Sequence, residues 1–364
     1  MKVFYINSYS CIGGAEKSLQ SIIVGVKERG IEPLLVCGEN GDLISWCKSE
    51  NIKYYILKQP SLQQSNFLKR LFNFFIFNVK LIFLMLKERT NVLHTNTLRS
   101  RVYCFLIAAL PFVRSIAHVR DIEHIEHQSR LVSSYNTTIA ISKAVKDSIV
   151  QNLDENLDEN VTLVYNAVDD YSNAEPLYVK GQNKSVFNVA MFGRFDDWKG
   201  QHLFIECANL MLTKGFEARF YIFGDAIRKE ELDYKKKCLS LIYPSNKSDV
   251  VHVGFVSEPY RYMRSLDLIV CPSINEPFGR VAIEAISAKT IFIASNGGGL
   301  PEILGDIGKQ CLFKEGDVDD MSNKINQVYT NLDMYKGISS ELFLRYKVKF
   351  HMDKLLDRLV VFYS

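Results

Sequence analysis

The sequence is short of the residues that mark non-globular chains. Its 364 residues include only 9 prolines and 20 glycines, too few for a collagen-like, linker-like or disordered protein. Charge of one sign is also scarce, because 44 Lys and Arg residues face 41 Asp and Glu residues for a net charge of +3. This balance gives no reason to expect nucleic acid as a partner. The composition therefore predicts a globular, core-forming protein.

A secretory signal and a disulfide pattern are missing as well. The apolar run that follows Met1 and Lys2 ends at Ile6, which is shorter than the apolar region of a signal peptide. The eight cysteines include no Cys-x-x-Cys pair and lie mostly in apolar surroundings, which is typical of reduced, structural thiols. We therefore expect a cytoplasmic protein.

The chain is rich in short β-type runs that alternate with amphipathic helical segments, a pattern typical of parallel sheets. A length of 364 residues also exceeds what one hydrophobic core usually serves. We predict an N-terminal α/β domain at 1–170, a linker at 171–184, a second α/β domain at 185–338 and a C-terminal helix at 339–364 that packs on one or both domains. The predicted strands are 2–7, 33–37, 53–57, 92–95, 115–119, 137–141 and 161–165, then 186–192, 218–223, 250–255, 266–271, 290–294 and 311–313.

The most informative motif is residues 275–288 (Asn-Glu-Pro-Phe-Gly-Arg-Val-Ala-Ile-Glu-Ala-Ile-Ser-Ala). It follows a predicted strand and opens a predicted helix, whose first backbone N–H groups form a natural phosphate site. The carboxylates of Glu276 and Glu284 are suited to accept hydrogen bonds from the hydroxyls of a bound nucleotide sugar. The residues predicted to contribute N–H groups are Phe278, Gly279, Arg280 and Val281.

This motif resembles the signature of the retaining glycosyltransferase family 4. Residues 193–200 (Gly-Arg-Phe-Asp-Asp-Trp-Lys-Gly) are similar to the diphosphate loop of that family, and residues 296–302 (Asn-Gly-Gly-Gly-Leu-Pro-Glu) to its Gly-Gly-x-Pro-Glu element. Residues 165–169 (Tyr-Asn-Ala-Val-Asp) and the Gly13-Gly14 pair also resemble family elements. The sequence departs from the pattern at 289–292 (Lys-Thr-Ile-Phe), where Gly-x-Pro-Val is usual. We expect this departure to affect packing more than chemistry.

The resemblance implies the GT-B fold, in which two doubly wound Rossmann-like domains face a central cleft. It also implies retaining transfer of a sugar from a nucleoside-diphosphate sugar to a glycan. A planar guanidinium and a compact ammonium in one loop would stabilise the leaving diphosphate, so no metal or other cofactor is expected. By this resemblance, Arg194 and Lys199 would stabilise the leaving diphosphate. Glu276 would bind the sugar hydroxyls, and Glu284 would bind the ribose hydroxyls. Gly13 and Gly14 would bind the phosphates, and His118 would approach the donor sugar.

Other interpretations stay open at this point. His118 serves about equally well as a core residue. The alternative for Arg194 and Lys199 is that they are surface cations, but their short loop after a predicted strand lies where α/β folds bind ligands, which favours a functional role. A non-catalytic sugar-nucleotide-binding protein or a nucleotide-sugar epimerase would share this pattern. A phosphorylase is disfavoured because no motif for a pyridoxal phosphate lysine is present. An oxidoreductase is disfavoured because Gly13 and Gly14 lack Gly-x-Gly-x-x-Gly spacing.

Two groups of residues resemble metal sites, but neither is predicted to bind metal. His124 and His127 lie beside two glutamates in a polar loop that lacks the ligand spacing of a tetrahedral zinc site. Asp317 and Asp319 match an Asp-x-Asp pattern, but their position before a predicted helix favours a helix cap.

Residues 67–89 are more apolar than one buried helix face requires. Lys69, Asn73, Lys80 and Lys87 form a narrow polar stripe at helical spacing, and Lys80 interrupts the apolar run, which argues against a membrane span. The segment is either a helix covered on both sides or an interfacial helix. In the second case it would seat the protein on the anionic inner face of the plasma membrane, where a lipid-linked acceptor lies. Phe74, Phe77 and Leu81 are the predicted lipid contacts.

Overall fold

The computed structural model describes residues 1–59, 67–122, 128–151, 153, 157–183 and 185–364. The chain divides into two compact units. The first comprises Met1–Ala167 together with Met352–Ser364, and the second comprises Val168–His351.

The first unit is built on a seven-stranded parallel sheet in the order β3-β2-β1-β4-β5-β6-β7. The interior strand at residues 2–7 reads as an apolar run from Val3 to Ile6 because a parallel sheet is covered on both faces. Val3 and Tyr5 belong to one core cluster, whereas Phe4 and Ile6 belong to the other. The strands are β1 (Lys2–Asn7), β2 (Glu32–Cys37), β3 (Lys53–Ile56), β4 (Val92–Thr95), β5 (Arg114–Val119), β6 (Thr137–Ala140) and β7 (Val161–Leu163).

The helices of the first unit cover both faces of this sheet. The apolar stripe of α1, formed by Leu19, Ile22, Ile23 and Val26, is fully buried, as the 3.6-residue period of a helix requires. The helices within the first 167 residues are α1 (Gly14–Glu28), α2 (Asp42–Ser49), α3 (Phe67–Glu88), α4 (Leu98–Ala108), α5 (Gln128–Ser133) and α6 (Lys143–Val150).

The second unit has a six-stranded parallel sheet in the order β10-β9-β8-β11-β12-β13. Its strands are β8 (Phe187–Phe192), β9 (Ala218–Phe223), β10 (Val250–Gly254), β11 (Leu268–Cys271), β12 (Ile291–Ser295) and β13 (Leu312–Phe313). Its helices are α7 (Gln201–Thr213), α8 (Lys229–Ser240), α9 (Pro259–Met263), α10 (Arg280–Ser287), α11 (Leu300–Leu304), α12 (Val318–Thr330) and α13 (Leu332–Lys349). A last helix, α14 (Met352–Tyr363), returns to the first unit.

Each sheet has one point where the strand order reverses. In the first sheet β1 lies between β2 and β4, and in the second β8 lies between β9 and β11. Loops at the carboxyl ends of such strand pairs diverge and leave a crevice in which doubly wound folds bind ligands. All thirteen predicted strands are confirmed, with shifts of one or two residues at their ends.

The expected helix at 339–364 is two helices, α13 and α14. Helical periodicity continues through the break, but Phe350 leaves the helical conformation with a φ of −123°. Its ring packs against Phe278 at a centroid distance of 6.0 Å, and His351 forms a β-bridge with Val168. The helix is therefore interrupted by tertiary contacts that the local sequence does not encode.

Residues 171–183, within the expected linker, are part of the second unit. Leu177 N–H donates to the Arg261 carbonyl at 2.9 Å, and the Gln182 amide donates to the Ser265 carbonyl at 2.6 Å. At the start of this stretch, the Tyr171 ring stacks on the Tyr260 ring at a centroid distance of 3.9 Å. The polar composition of this stretch reflects hydrogen bonding to the unit, which begins at Val168.

The long helix α3 has one buried and one exposed apolar face. Phe77 and Leu81 are buried in the core, so the expectation that they contact lipid is wrong. Phe74 is half-buried beside Phe105, at a ring distance of 5.7 Å. In the part of the chain that the structure describes, no helix has the length and apolarity that a bilayer crossing needs. The exposed apolar side chains of α3, which we call the α3 outer face, are Leu68, Leu71, Phe72, Phe75, Val79, Ile82, Phe83 and Leu86.

Candidate functional site

Four predicted site residues follow two neighbouring strands of the second sheet. Arg194 and Lys199 come after β8, and Glu276 and Glu284 come after β11. These two strands pair directly in the sheet. The four residues therefore follow the carboxyl ends of two paired strands at the switch point of the sheet, where a ligand crevice is expected.

Lys199 and Glu276 form an ion pair across this edge. The Lys199 Nζ lies 2.8 Å from Glu276 Oε2, and the same ammonium lies 4.0 Å from the centre of the Trp198 ring. The Glu276 side chain is almost fully buried and the Lys199 side chain about one-fifth exposed. A charge pair with so little water around it interacts more strongly than a surface pair. The two residues are 77 positions apart in the sequence, so only the fold brings them together.

The loop that carries Glu276 is fixed by the glycines of residues 297–299. Gly299 N–H donates to the Glu276 carbonyl at 2.7 Å. Gly298 has a φ of +57°, and a Cβ there would lie 2.1 Å from the Glu276 carbonyl oxygen. Any larger residue at 298 would therefore collide with backbone that cannot rotate away. The Gly-Gly-Gly run thus supports the position of Glu276.

Helix α10 places Glu284 one turn above Arg280. The Arg280 Nε donates to Glu284 Oε1 at 2.8 Å, and Glu284 is buried. Tyr171, which stacks on Tyr260 with nearly parallel rings, is close enough to sense this carboxylate. Burial raises the pKa of the Tyr171 hydroxyl well above its usual value, and the negative charge of Glu284 raises it further. The sequence did not single out this stacked tyrosine pair.

The start of α10 supports the predicted backbone site in part. Gly279 is the N-cap, with a φ of +101° and no side chain to cap the helix, and Arg280 and Val281 open the first turn. The Phe278 side chain is buried against Phe350. Only the backbone of Phe278 is therefore placed to meet a ligand.

Arg194 has different partners from Lys199. Its guanidinium lies 3.2 Å from Asp196 and 3.1 Å from Glu231, and its side chain is about one-third exposed. The Glu231 carboxylate also accepts the backbone N–H groups of Ile227 and Arg228. Arg194 is thus held within the loop by Asp196 and Glu231, and none of the described contacts joins it to Glu276, the partner of Lys199.

Gln201 is a supporting residue that the sequence analysis missed. It is fully buried at the first position of α7, and its amide Nε2 donates to the Arg194 carbonyl at 2.8 Å. This bond fixes the loop backbone between the two cations. Its position directly after Gly200 was the only available signal.

In the first unit, the Gly13-Gly14 loop follows β1 as predicted. The Gly13 N–H donates to Glu16 Oε2 at 3.0 Å, and Asn7 holds the other oxygen of this carboxylate at 3.3 Å. The Glu16 carboxylate thus accepts the Gly13 N–H, the donor that was expected to bind phosphate. A phosphate bound here would have to displace Glu16 or use other groups.

His118 lies at the end of β5 and is buried. Burial, the positive charge of Arg120 and neighbouring His94 hold the pKa of His118 well below 6.5. Burial and Arg120 likewise lower the pKa of His94 to about 3. Both imidazoles are therefore neutral near pH 7.

The two sequence patterns that resembled metal sites differ in outcome. Asp317 is the N-cap of α12, and its Oδ1 accepts the Asp320 N–H at 3.0 Å, which confirms the helix cap. His124 and His127 lie outside the described residues. Within the described ranges, no three His, Cys, Asp or Glu side chains are grouped as a metal would need.

Comparison with solved structures identifies the fold of the two units. HepE from Anabaena, solved in complex with UDP, matches with a TM-score of 0.81 at 21% identity, over 99% of this chain and 98% of that one. A glycosyltransferase from Rickettsia africae matches with a TM-score of 0.83 at 19% identity, over 100% and 98%. The chain therefore has the GT-B fold of glycosyltransferases, as predicted.

Sequence comparison finds a family to which most of the second unit is similar. Residues 179–341 match the family model described as Glycosyl transferases group 1. The capsular polysaccharide biosynthesis glycosyltransferase CapM of Staphylococcus aureus is 21% identical over 62% of this chain and 60% of its own length. A Methanocaldococcus jannaschii glycosyltransferase is 29% identical over 58% of this chain and 56% of its own. The chain thus spans little more than half the length of these relatives.

Proposed function

We propose that the protein is a retaining, metal-independent glycosyltransferase. In this proposal it moves a hexose from a nucleoside-diphosphate sugar onto a lipid-linked glycan in the synthesis of a cell-surface polysaccharide. The observation that carries the proposal is the Lys199–Glu276 pair at the switch point of the second sheet. The UDP complex of HepE supports the donor class, and the role of CapM in capsular polysaccharide biosynthesis supports the product class.

The chemistry follows from where charge develops. As the glycosidic bond breaks, the departing diphosphate gains negative charge, and preorganised cations beside it lower the barrier. Lys199 and Arg194 occupy one short loop after β8 and would supply this stabilisation, a task that a divalent metal performs in other transferases. Glu276 would accept hydrogen bonds from sugar hydroxyls and Glu284 from the ribose.

Donor binding and turnover test the site directly. A thermal-shift panel of nucleoside diphosphates and their sugars identifies the donor, and release of the diphosphate then measures turnover. Lys199→Ala and Glu284→Ala should each lower transfer at least about a hundredfold, because each removes a charged contact to the donor. Lys236→Ala is the control, since this exposed lysine on α8 pairs only with Asp233 among the described contacts.

Each other outcome identifies a different function. Donor binding without diphosphate release would indicate a non-catalytic binding protein. Formation of an epimeric sugar, seen by NMR, would indicate an epimerase. Near-native transfer in Lys199→Ala would remove the assigned site, and loss of transfer on adding EDTA would contradict metal independence.

The membrane part of the proposal rests on the α3 outer face. Its eight apolar side chains are between 37% and 74% exposed, an extent unusual for one helix of a monomer with no partner. Lys69, Lys80 and Lys87 are exposed along one border of this face. The single acidic residue of α3, Glu88, is buried and paired with Lys53 at 2.7 Å. Apolar surface bordered by positive charge fits an anionic lipid surface.

Vesicle flotation tests this docking surface. The triple variant Phe72→Ser, Phe75→Ser and Phe83→Ser should lose binding to vesicles of phosphatidylglycerol and phosphatidylcholine, and salt should weaken binding of the unmodified protein. The matched control replaces equally exposed apolar residues elsewhere, at Leu344, Val348 and Val361. Equal flotation of both variants would contradict the proposal. A change in oligomeric state without a change in flotation would assign the α3 outer face to a second copy of the chain instead.

A further inference from the structure

The loop that follows β11 carries Glu276, and neighbouring loops hold its backbone on both sides of Asn275. Ile274 N–H donates to the Trp198 carbonyl at 2.7 Å, and the Glu276 carbonyl accepts the Gly299 N–H at 2.7 Å. Backbone groups make both of these bonds, so the identity of the side chains does not decide whether they form. The residue between them is held in a different way.

Asn275 is held by a side chain from another part of the second unit. Its N–H donates to Glu315 Oε1 at 2.6 Å, across 40 positions of the sequence, and Glu315 follows β13. A bond from an N–H group to a carboxylate is stronger than one to a neutral acceptor. Asn275 has a φ of +48°, in the left-handed region that a residue with a Cβ seldom occupies. Glu315 therefore stabilises a turn that the local backbone does not favour by itself.

Gly297 provides the space that Glu315 needs. A Cβ at this position would overlap Glu315 Oε1, so the carboxylate lies directly on the glycine. The φ of Gly297 is outside the left-handed region, so alanine at this position avoids the backbone strain of that region. The added methyl group would instead displace the end of the Glu315 side chain. This gives a second way to remove the bond to Asn275, without altering either of its partners.

Two bonds thus fix the backbone that carries the Glu276 carboxylate. One is the bond of the Asn275 N–H to Glu315, and the other is the bond of the Glu276 carbonyl to Gly299. They bracket the two residues, so the direction of the Glu276 side chain depends on both. The carboxylate that they aim lies 2.8 Å from the Lys199 ammonium. A displacement of about 1 Å in a group of this kind is enough to lose most of its effect on a substrate.

We propose that Glu315 is a positioning residue that fixes Asn275 and so aims the Glu276 carboxylate at the hydroxyls of the donor sugar. Glu315 thereby sets the preference of the site for a nucleotide sugar over the bare nucleoside diphosphate. This inference rests on the proposed function for the role of Glu276, but not for the anchoring of Asn275. Glu315 itself touches no substrate in this scheme, because it acts through the backbone of the loop.

The anchor is measurable without any ligand. Asn275 is exposed, so its bond to Glu315 should slow the exchange of its amide hydrogen with solvent. In ¹⁵N-labelled protein followed by NMR, Glu315→Ala and Gly297→Ala should each speed this exchange at least about tenfold, the effect of one lost hydrogen bond. Glu315→Gln keeps a carbonyl oxygen as acceptor and should stay near the unmodified rate. Unchanged exchange in Glu315→Ala would overturn the proposal.

Binding then tests the consequence for the sugar, by calorimetry with the donor that the thermal-shift panel identifies. Glu315→Ala and Gly297→Ala should each weaken binding of the nucleotide sugar about tenfold and change binding of the nucleoside diphosphate less than about twofold, because Glu276 meets the sugar hydroxyls. Glu315→Gln should restore the affinity for the sugar. The double variant should be no weaker than either single one, because both changes remove the same contact. Glu341→Ala, which replaces an exposed glutamate of α13, is the matched control and should keep both affinities.

The outcomes separate this inference from the function on which it rests. Equal losses for the nucleotide sugar and the bare diphosphate would show a general disturbance of the site, and would overturn the role of Glu315 in sugar preference. A further loss in the double variant would show two independent effects and would overturn the shared contact. If the unmodified protein binds no nucleotide sugar, the proposed function fails together with the sugar preference, while the exchange of the Asn275 amide still decides the anchor.

Discussion

Buried histidines give the first unit a dependence on pH that can be derived residue by residue. Folding holds the pKa of His94 at about 3 and that of His118 well below 6.5. In the unfolded chain, both side chains titrate near 6.5. The unfolded state therefore binds more protons below that pH, and the free energy of unfolding falls as the pH drops from 6.5 toward 3.

We predict that His94→Gln reduces this acid sensitivity. Each buried neutral histidine should cost about 2 kcal/mol of stability on going from pH 7 to pH 5, and the variant lacks one of them. Urea unfolding at the two pH values measures the difference. Leu93→Val, at the adjacent position of β4, is the control because it lowers stability without removing a titrating group. The same acid-induced loss in both variants would contradict the assignment.

For single residues, the sequence indicated which residue types form the candidate site but not which partners they bind. The motif at 275–288 identified Glu276 correctly as a residue at a strand end, and its partner Lys199 came from a separate motif. The Glu16 bond to Gly13 and the Arg120 bonds to two asparagines were not predicted. The Arg120 bonds depend on which strands are neighbours in the sheet, and local spacing does not encode strand order. The Glu16 bond is local, because Glu16 lies three residues after Gly13 at the start of α1, so here a sequence signal was present and was missed.

Among the elements, strands were predicted far better than helix faces. Parallel strands buried on both sides are short apolar runs bounded by polar turns, so their positions are local information. The apolar excess of α3 was equally visible, but the direction in which Phe77 and Leu81 point was not. That direction depends on the packing of α3 against α4, which the chain reaches only after β4.

Just after α10, residues 289–292 (Lys-Thr-Ile-Phe) depart from the family pattern described above. Lys289 has a φ of +59°, in the left-handed region that costs a residue with a Cβ about 1–2 kcal/mol. Its ammonium lies 4.5 Å from the centre of the Phe343 ring, a contact that offsets part of this cost. The unusual lysine is therefore accommodated by packing, at the end of the helix that carries Glu284.

We predict that Lys289→Gly is more stable than Lys289→Ala by about 1 kcal/mol. Both variants lose the contact with Phe343, and only alanine keeps the backbone strain. Chemical denaturation of the two proteins measures the difference directly. Alanine equal to or better than glycine would mean that the left-handed conformation is not present in solution.

For the whole molecule, the first unit is discontinuous, which the sequence indicated only as a C-terminal helix that packs on one or both domains. The chain leaves this unit after Ala167 and returns at Met352. Leu355, Leu356 and Leu359 of α14 are buried in the same core cluster as α1. Helical periodicity indicated the apolar face of the last segment, but the unit that this face covers is a property of the fold.

We predict that residues 1–167 do not fold cooperatively alone but do so when α14 is restored. Removing α14 deletes the buried side chains of Leu355, Leu356, Leu359 and Tyr363 and exposes the core surface that they cover. Burial of each is worth roughly 1.5–3 kcal/mol, and together they rival the whole stability of a typical domain. The β-bridge between Val168 and His351 brings together the two places where the chain passes between the units, so a short glycine-serine linker can join Ala167 to Met352.

Thermal unfolding followed by circular dichroism should show a sharp transition only for the joined protein. Val361→Ala in that protein should be nearly neutral, since Val361 is 65% exposed, whereas Leu359→Ala should cost about 2–5 kcal/mol. A sharp transition for residues 1–167 alone would contradict the prediction.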